Sequence, residues 1–433
     1  MQQALIIADD LSGAADCASA FFKAGLQTQV IIDGKAARSA ETGTAQAIAL
    51  DADTRRLGGA EAARVQSDLY DAYLAPGQLF YKKIDSTLRG NFAEELAAII
   101  DRAGLALVAP AFPQAGRFTR KGHQYLNATP LEATEGWRNE GIAGVAHIPG
   151  MLVRTGIRTA AIGIDEIRQG AQHLRTVFEA RASEGAQALV CDVEAEADLQ
   201  LIARASIALT RPRFWVGSAG LANHLHAGVN VAPGPVRCAR ITVEGPILTV
   251  VGSVSGVSRE QADYLAAERI RRLVVPARVL RRGQAHPQWR ELRQALERPL
   301  RQQHDLLVMI GADEAVDMSE GLLLCQSLAA LIAPLAGHVG ALIATGGETA
   351  RAILCAIGST QLRLAGEIEP GVPVSVATGA RAIPVITKAG AFGSRETLVR
   401  CYDALRQARV VCASDTNTVA AIAASAAFPR KTL

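Results

Sequence analysis

The densest chemistry in the chain lies in Lys82-Lys83-Ile84-Asp85-Ser86-Thr87-Leu88-Arg89-Gly90-Asn91. Ammonium groups, a guanidinium, a carboxylate and small polar groups in succession suit an anionic, hydroxylated ligand. A guanidinium can grip a carboxylate through two hydrogen bonds, and an ammonium can meet a phosphoryl group in transfer. A solvated turn seldom spends so many polar types in a row. Upstream, Asp9-Asp10 is followed by Ser12, Gly13 and Asp16. Adjacent carboxylates can orient a hydroxyl, accept its proton or bind a cation, although either alone would serve equally as the cap of a following helix. Arg55, in Asp53-Thr54-Arg55, is a candidate for the same pocket, with Arg56 beside it equally available. The loop Pro110-Ala111-Phe112-Pro113-Gln114-Ala115-Gly116-Arg117 is a candidate to close over the ligand. The candidate catalytic groups are therefore Asp10, Lys82 and Asp85. The candidate ligand-binding groups are Asp9, Asp10, Arg55, Lys83, Asp85, Ser86, Thr87, Arg89 and Gln114.

The C-terminal half offers a different chemistry. Three Gly-rich segments each follow an apolar run and precede a helical pattern: Gly252-Ser253-Val254-Ser255-Gly256-Val257-Ser258, Thr345-Gly346-Gly347-Glu348-Thr349 and Lys388-Ala389-Gly390-Ala391-Phe392-Gly393-Ser394. A helix N-terminus presents free backbone N–H groups and a partial positive charge, and glycine lets a phosphate approach them closely. One such loop would be an ordinary βα turn; three in one half favour a polyanion such as a nucleotide triphosphate. The candidate nucleotide ligands are Ser253, Ser255, Ser258, Gly346, Gly347, Glu348, Thr349, Lys388, Gly390 and Gly393. Neither GxxxxGK[ST] nor GxGxxG occurs, which excludes a P-loop NTPase and a standard dinucleotide fold.

These groups need a scaffold that brings loops together. Apolar runs at Leu5–Ala8, Thr28–Ile32, Ala47–Leu50, Leu79–Ile84 and Leu105–Ala109 read as strands. They alternate with helical patterns at about Ala14–Lys23, Glu61–Leu74 and Phe92–Arg102, with Gly25 as a helix stop. Residues 114–150 are polar and weakly periodic and read as a long functional loop or lid. A helix at His173–Ser183 and strands at Ala188–Cys191 and Phe214–Val216 follow, then a breaker-rich linker at 228–246. Beyond it, strands at Ile247–Val251, Leu306–Ile310, Ala341–Ala344 and Val385–Thr387 alternate with helices at Arg259–Arg269 and about Glu314–Leu335, and an Ala-rich segment, Val419–Phe428, reads as a terminal helix. Repeated β-loop-α units imply α/β architecture: two domains, 1–232 and 233–433, each with a mainly parallel, doubly wound sheet and loops gathered at the strands' carboxyl ends.

Composition sets the outer bounds. The 433 residues carry 45 Lys+Arg against 42 Asp+Glu, a formal net charge of +3, which argues against a dedicated nucleic-acid binder. Apolar residues make up 49%, enough for a large core, and no apolar run reaches the roughly 18 residues needed to span a bilayer. Seven dispersed cysteines without a CxxC pair fit reduced thiols, and with no signal-peptide pattern at the N-terminus a cytoplasmic location is expected. No residue set is assigned to a metal. Lysine occurs seven times against 38 arginines, so lysines in motif-like positions, Lys82, Lys83 and Lys388, stand out.

Seven segments together carry a resemblance: IADDLSGAAD (7–16), YKKIDSTLRGN (81–91), PAFPQAGR (110–117), GSAGLA (217–222), VGSVSGVSREQ (251–261), ATGGETA (344–350) and KAGAFG (388–393). In order, over nearly the whole chain, they resemble the four-carbon acid sugar kinases. The resemblance implies an N-terminal domain for the sugar acid, a C-terminal domain for ATP, an active site in the interdomain cleft, and phosphorylation of the terminal hydroxyl of a tetronate. It implies the acid near Asp10, Arg55 and Lys82–Arg89, and ATP near Ser258, Gly346–Thr349 and Gly390. The YKKIDSTLRGN form looks more like the threonate/erythronate branch than the 3-oxo-tetronate branch. The expected mechanism has Mg²⁺ bridging the ATP phosphates, Arg55 or Arg89 holding the substrate carboxylate with help from a lysine, and Asp10 or Asp85 taking the hydroxyl proton. Expected partners are a sugar acid and ATP, with a second copy of the chain as a further candidate and neither nucleic acid nor membrane. Two rival readings remain: ATP-dependent acyl activation of the same acid, and a sensor that binds both ligands without turnover.

Overall fold

The computed structural model describes residues 4–33, 45–142, 144–228, 241–252, 255–311, 320–390 and 392–413. The chain divides into two compact units, Met1–Val236 and Arg237–Leu433. Ser253, most of the breaker-rich 228–246 stretch and the Ala-rich segment 419–428 lie outside the described residues.

In the first unit the strands are β1 (Ala4–Ala8), β2 (Thr28–Ile31), β3 (Ala47–Asp51), β4 (Leu79–Lys83), β5 (Leu105–Ala109), β6 (Arg117–Arg120), β7 (His123–Leu126), β8 (Thr129–Pro130), β9 (Thr159–Ile162), β10 (Ala188–Cys191) and β11 (Arg213–Gly217). The main sheet runs β2-β3-β1-β4-β11-β5-β10-β9. Every pairing within it is parallel. Its central strands are continuous apolar runs buried along their whole length, as expected where helices cover both faces. After β1 the chain builds β2 and β3 on one side and then crosses to build β4 on the other. That reversal opens a crevice beyond the carboxyl ends of β1 and β4, the usual place for a ligand in such sheets. Register sharpens it: Ala8 pairs with Asp51 of β3 and with Lys83 of β4, so residues 9, 52–55 and 84–85 leave the sheet along one edge.

The stretch read as a loop at 114–150 is more ordered than its composition implied. It forms a separate antiparallel sheet, β6-β7-β8, followed by the short helices Glu135–Asn139 and Ile148–Val153. Its polar residues are spent on cross-links: the Thr119 hydroxyl donates to Gln124 at 2.7 Å, and Thr119 bridges to Val193. The helix expected over Phe92–Arg102 breaks into Phe92–Ala97 and Ile100–Ala103, because Ile99 leaves helical geometry at φ −123°.

In the second unit the strands are β12 (Ile247–Val251), β13 (Arg271–Val275), β14 (Leu306–Ile310), β15 (Ala341–Thr345), β16 (Ser359–Glu367), β17 (Pro373–Gly379) and β18 (Ile383–Lys388). Their order is β13-β14-β12-β15-β18-β17-β16. The pairings are parallel except that β17 runs antiparallel to both neighbours. The same reversal recurs here, with β13 and β14 on one side of β12 and β15 on the other, and Val251 paired with Thr345. The segment Gly321–His338 corrects the reading that no apolar run reaches membrane-spanning length: its 18 residues have mean hydropathy 1.5. Within the unit Leu324, Cys325, Leu328, Leu331 and Ile332 are buried on one side of the helix Gly321–Ile332, which packs against the helix Gly347–Ala356.

Candidate active site

At the β1/β4 crevice the structure assembles a compact ion cluster. Asp10 ends the extended backbone and caps the helix Leu11–Lys23, its Oδ1 accepting from Gly13 N at 2.9 Å. Arg55 reaches across from the loop after β3, donating from Nε to Asp9 Oδ2 at 2.8 Å and from Nη1 to Asp10 Oδ2 at 2.9 Å. Of the two adjacent arginines, Arg55 is thus the one turned into the site, while Arg56 is exposed. The buried Lys83 ammonium donates to Ile84 O at 2.9 Å. A Cβ on Gly13 would sit 2.7 Å from both Lys83 Nζ and Asp10 Oδ1, so a side chain at residue 13 would displace the lysine ammonium and the capping carboxylate. Asp85 Oδ2 accepts from the Thr87 hydroxyl at 2.5 Å and from Arg89 Nε.

Electrostatics follow from this packing. Burial works to raise the Asp85 carboxyl, but Arg89 and Arg55, with Lys83, outweigh it and hold Asp85 well below the usual carboxylate range. Asp9 is lowered in the same way, Arg55 and Lys83 opposing the effect of burial. Burial works to lower Lys83, but Asp9 and its neighbours raise it, so the ammonium stays charged. A carboxyl whose folded pKa is depressed contributes its stability above the unfolded value, about 4, and loses it as pH falls through the folded value. The gap in melting temperature between the wild-type chain and Asp85→Asn is therefore expected to be full at about pH 5 and above and to close progressively below about pH 4. A gap that instead widens on acidification would contradict the assignment.

Lys82 lies behind this cluster, near enough for its charge to help lower Asp9, but it makes no contact with Asp10 or Asp85. Successive residues of a strand point to opposite faces, and Lys82 turns away from Asp10 and Asp85 to pair with Glu95 Oε2 at 2.8 Å, both side chains almost wholly buried. Glu95 Oε1 accepts the Thr54 hydroxyl, and Asn91 Nδ2 donates to Thr54 O at 3.0 Å and Leu57 O at 2.9 Å. This second layer fixes the loop that carries Arg55. Sequence reading missed Glu95. Its signal was a lone carboxylate on the apolar face of Phe92, Leu96 and Ile99, which demands a buried cation. Gln114, expected at the ligand, is exposed on a short turn, whereas Gln124 is buried and donates from Nε2 to Ser86 O at 2.8 Å, holding the Ser86–Thr87 segment.

In the second unit the three Gly-rich segments all leave the carboxyl ends of neighbouring strands β12, β15 and β18. Gly346, at φ +92°, donates its N–H to Lys388 O at 2.8 Å and turns the chain into the helix Gly347–Ala356, whose first amides point off the strand edge. Several side chains expected on phosphate are instead spent on the loops. The Ser255 and Ser258 hydroxyls both donate to Gly390 O, at 3.1 and 2.5 Å. Lys388 Nζ donates to Ala389 O, Gly390 O and Phe392 O at 2.9, 3.3 and 2.9 Å. Burial pushes Lys388 down to about 8, which still leaves an ammonium at neutral pH for these carbonyls. The Thr349 hydroxyl lies 3.2 Å from Cys325 Sγ and packs where a Cβ on Gly252 would fall. The backbone amides of Gly347, Glu348 and Thr349 open the helix Gly347–Ala356 without intrahelical acceptors, an arrangement that can take an anion, while the side chains named above hold the loops in place.

Comparison with known proteins meets both units. A sugar-binding N-terminal domain model matches residues 4–225, and a nucleotide-binding C-terminal domain model matches residues 248–398. The chain is 44% identical over 409 residues to the D-threonate kinase of Cupriavidus necator, covering 94% of this chain and 98% of that protein. The chain belongs to the four-carbon acid sugar kinase family. Within this kinase family it is also 30% identical to the D-threonate kinase of Salmonella typhimurium, covering 91% of this chain and 96% of that one. It is 27% identical to the 3-oxo-tetronate kinase of Burkholderia multivorans, covering 92% and 96%. A solved structure described as a putative tRNA synthase from Salmonella typhimurium shares the fold, with a TM-score of 0.74 at 23% identity over 93% of this chain and 98% of that one. The chain is therefore a sugar-acid kinase that uses ATP, an alcohol hydroxyl being the phosphoryl acceptor.

Proposed function

We propose that this kinase transfers the γ-phosphoryl group of ATP to the terminal hydroxyl of D-threonate, giving 4-phospho-D-threonate. The observation that carries the chemistry is the state of Asp85. Both oxygens of Asp10 are engaged, one by the helix amide of Gly13 and one by Arg55. Asp85 spends a single oxygen on Thr87 and Arg89, and its Oδ1 receives no hydrogen bond from any described residue. That oxygen accepts the substrate hydroxyl and its proton as transfer proceeds. A loose, metaphosphate-like transition state asks little of the base, so an ionised carboxylate of low basicity suffices for orientation. Lys83 beside it balances the charge.

ATP rests its phosphates on the Gly346–Thr349 amides and the Gly390–Gly393 segment, which Ser255, Ser258 and Lys388 keep in shape. Mg²⁺ fits this arrangement as a cation that the phosphate oxygens would ligate. Among the described residues no group of three His, Cys, Asp or Glu side chains is placed to hold a metal ion; the buried Thr345 hydroxyl, without a hydrogen-bond partner at the end of β15, and Glu348 are the oxygen donors at hand in the second unit. Bound there, the ion would neutralise charge on the transferring group. In-line transfer needs the acceptor oxygen held against the γ-phosphorus.

D-threonate is favoured because relatives at 44% and 30% identity are D-threonate kinases, whereas the 3-oxo-tetronate and D-erythronate kinases compared lie at 26–28%. The test is ADP release by purified protein with ATP and Mg²⁺ over D-threonate, L-threonate, D-erythronate and 3-oxo-tetronates, with the product identified by phosphorus NMR. A phosphate monoester formed fastest from D-threonate is expected. Faster turnover of another tetronate overturns the substrate, AMP formation points to acyl activation, and binding of both ligands without turnover points to a sensor.

A further inference from the structure

Three guanidinium groups stand around Asp85, and they are not equivalent. Arg55 is neutralised by Asp9 and Asp10, at 2.8 and 2.9 Å. Arg89 is neutralised by Asp85 itself, with Glu140 at 3.5 Å. Arg117 has no ion pair among the described residues. Its Nη1 donates to Ala115 O, and its Nε is buried with no acceptor. A tetronate brings one carboxylate to the site, and two of the three arginines have already spent their charge on the protein.

We propose that Arg117 receives the carboxylate of the sugar acid and sets the enzyme's preference for acids over neutral polyols. This rests on the tetronate-kinase reading above. Arg117 begins β6 and is tied back to the loop after β5 through paired backbone bonds with Phe112, at 2.9 and 3.0 Å, so its position is set by a rigid turn. It lies close enough to the Asp85 cluster for the Asp85 and Arg89 charges to act on it, and burial lowers its pKa because no counter-charge is in contact. A bound carboxylate would supply the missing acceptor for Nε, pair with the guanidinium fork through two hydrogen bonds, and complete a charge that the protein leaves unbalanced. Arg55 and Arg89 then act as braces for Asp9, Asp10 and Asp85 and leave the acid to Arg117.

The experiment compares wild-type enzyme with Arg117→Met and Arg117→Lys, using D-threonate and the uncharged tetritol D-threitol as acceptors. Loss of one partner of a partly desolvated charge pair predicts a rise in KM for D-threonate on the order of 100-fold in Arg117→Met. KM for ATP and kcat/KM for D-threitol are expected to stay within about threefold, so that the acid-over-polyol preference collapses. Arg117→Lys should fall between, since an ammonium supplies charge without the fork. Added guanidinium ion should partly restore turnover of D-threonate by Arg117→Met. A preference unchanged in Arg117→Met, or equal losses with both acceptors, overturns the assignment. Should Arg117→Met fail to fold, Arg117→Lys carries the test alone: a KM for D-threonate equal to wild type overturns the proposal. If the wild-type enzyme phosphorylates no tetronate at all, the kinase reading falls and this proposal with it, an outcome distinct from a wild type that works and an Arg117 that is dispensable.

Discussion

Asp85→Asn is expected to lower kcat by about 10²–10⁴-fold, the range associated with removing a positioned acid–base group. The carboxylate has one oxygen committed to Thr87 and Arg89 and one open. An amide of the same shape can keep only one of these duties: either its oxygen stays with Arg89 and an N–H₂ meets the substrate hydroxyl, or the reverse. In the second arrangement the amide oxygen can still accept a hydrogen bond from the hydroxyl, but in neither is a carboxylate left to take its proton, and the Arg89 and Arg55 charges that depress Asp85 lose part of their counter-charge. Arg89 is partly exposed, so solvent absorbs much of that imbalance and the fold should lose far less than the reaction does. Steady-state rates at saturating ATP and D-threonate, measured beside melting temperatures, check this. A kcat within threefold of wild type would remove Asp85 from the chemistry and return attention to Asp10.

For Lys82→Met the expected result is the opposite: a large loss of stability, about 3–5 kcal/mol, because Glu95 is left as an unpaired charge in a site closed to water. For a unit of this size that corresponds to a fall in melting temperature of roughly 6–20 °C. The double variant Lys82→Met with Glu95→Gln should recover most of it, since Gln keeps an acceptor for the Thr54 hydroxyl while removing the orphaned charge. Turnover per folded molecule should drop only as far as the Arg55 loop loosens. A Lys82→Met protein with wild-type melting temperature and no turnover would show that Lys82 acts on the substrate after all.

The contrast between these two variants shows how far the sequence could be read. Lys82, Lys83 and Asp85 look alike in one polar run, and residue types alone place them together. Strand geometry separates them: the period of two sends Lys82 to one face and Lys83 to the other. The order of strands was similarly half-legible. Fully buried parallel strands announce themselves as apolar runs, and all the central ones were read. Edge and antiparallel strands do not: β13 begins with two exposed arginines, β9 is largely half-exposed, and the antiparallel β16 and β17 set exposed or half-exposed positions among buried ones. The helices Glu196–Ile207 and Trp289–Arg301 were missed because charged residues crowd them and, in the second, because Pro299 interrupts the pattern. In the nucleotide unit the loops were legible from their glycines, but the duty of each polar side chain was not. Ser255, Ser258 and Lys388 carry donors that would suit phosphate equally well, and only the folded geometry reveals that neighbouring carbonyls have claimed them.

The small antiparallel sheet β6-β7-β8 is built apart from the large parallel one, joined to it by threads such as Thr119 to Val193 and Gln124 to Ser86. Arg117 rides on this appendage, whereas Asp9, Asp10 and Asp85 are rooted in the scaffold. With Arg117 receiving the acid as proposed, selection can redraw which acid is welcomed by editing a short hairpin, sparing the carboxylates rooted in the large sheet. Divergence among relatives that accept different tetronates should concentrate in that hairpin, and grafting it between them is a direct route to exchanging their tastes.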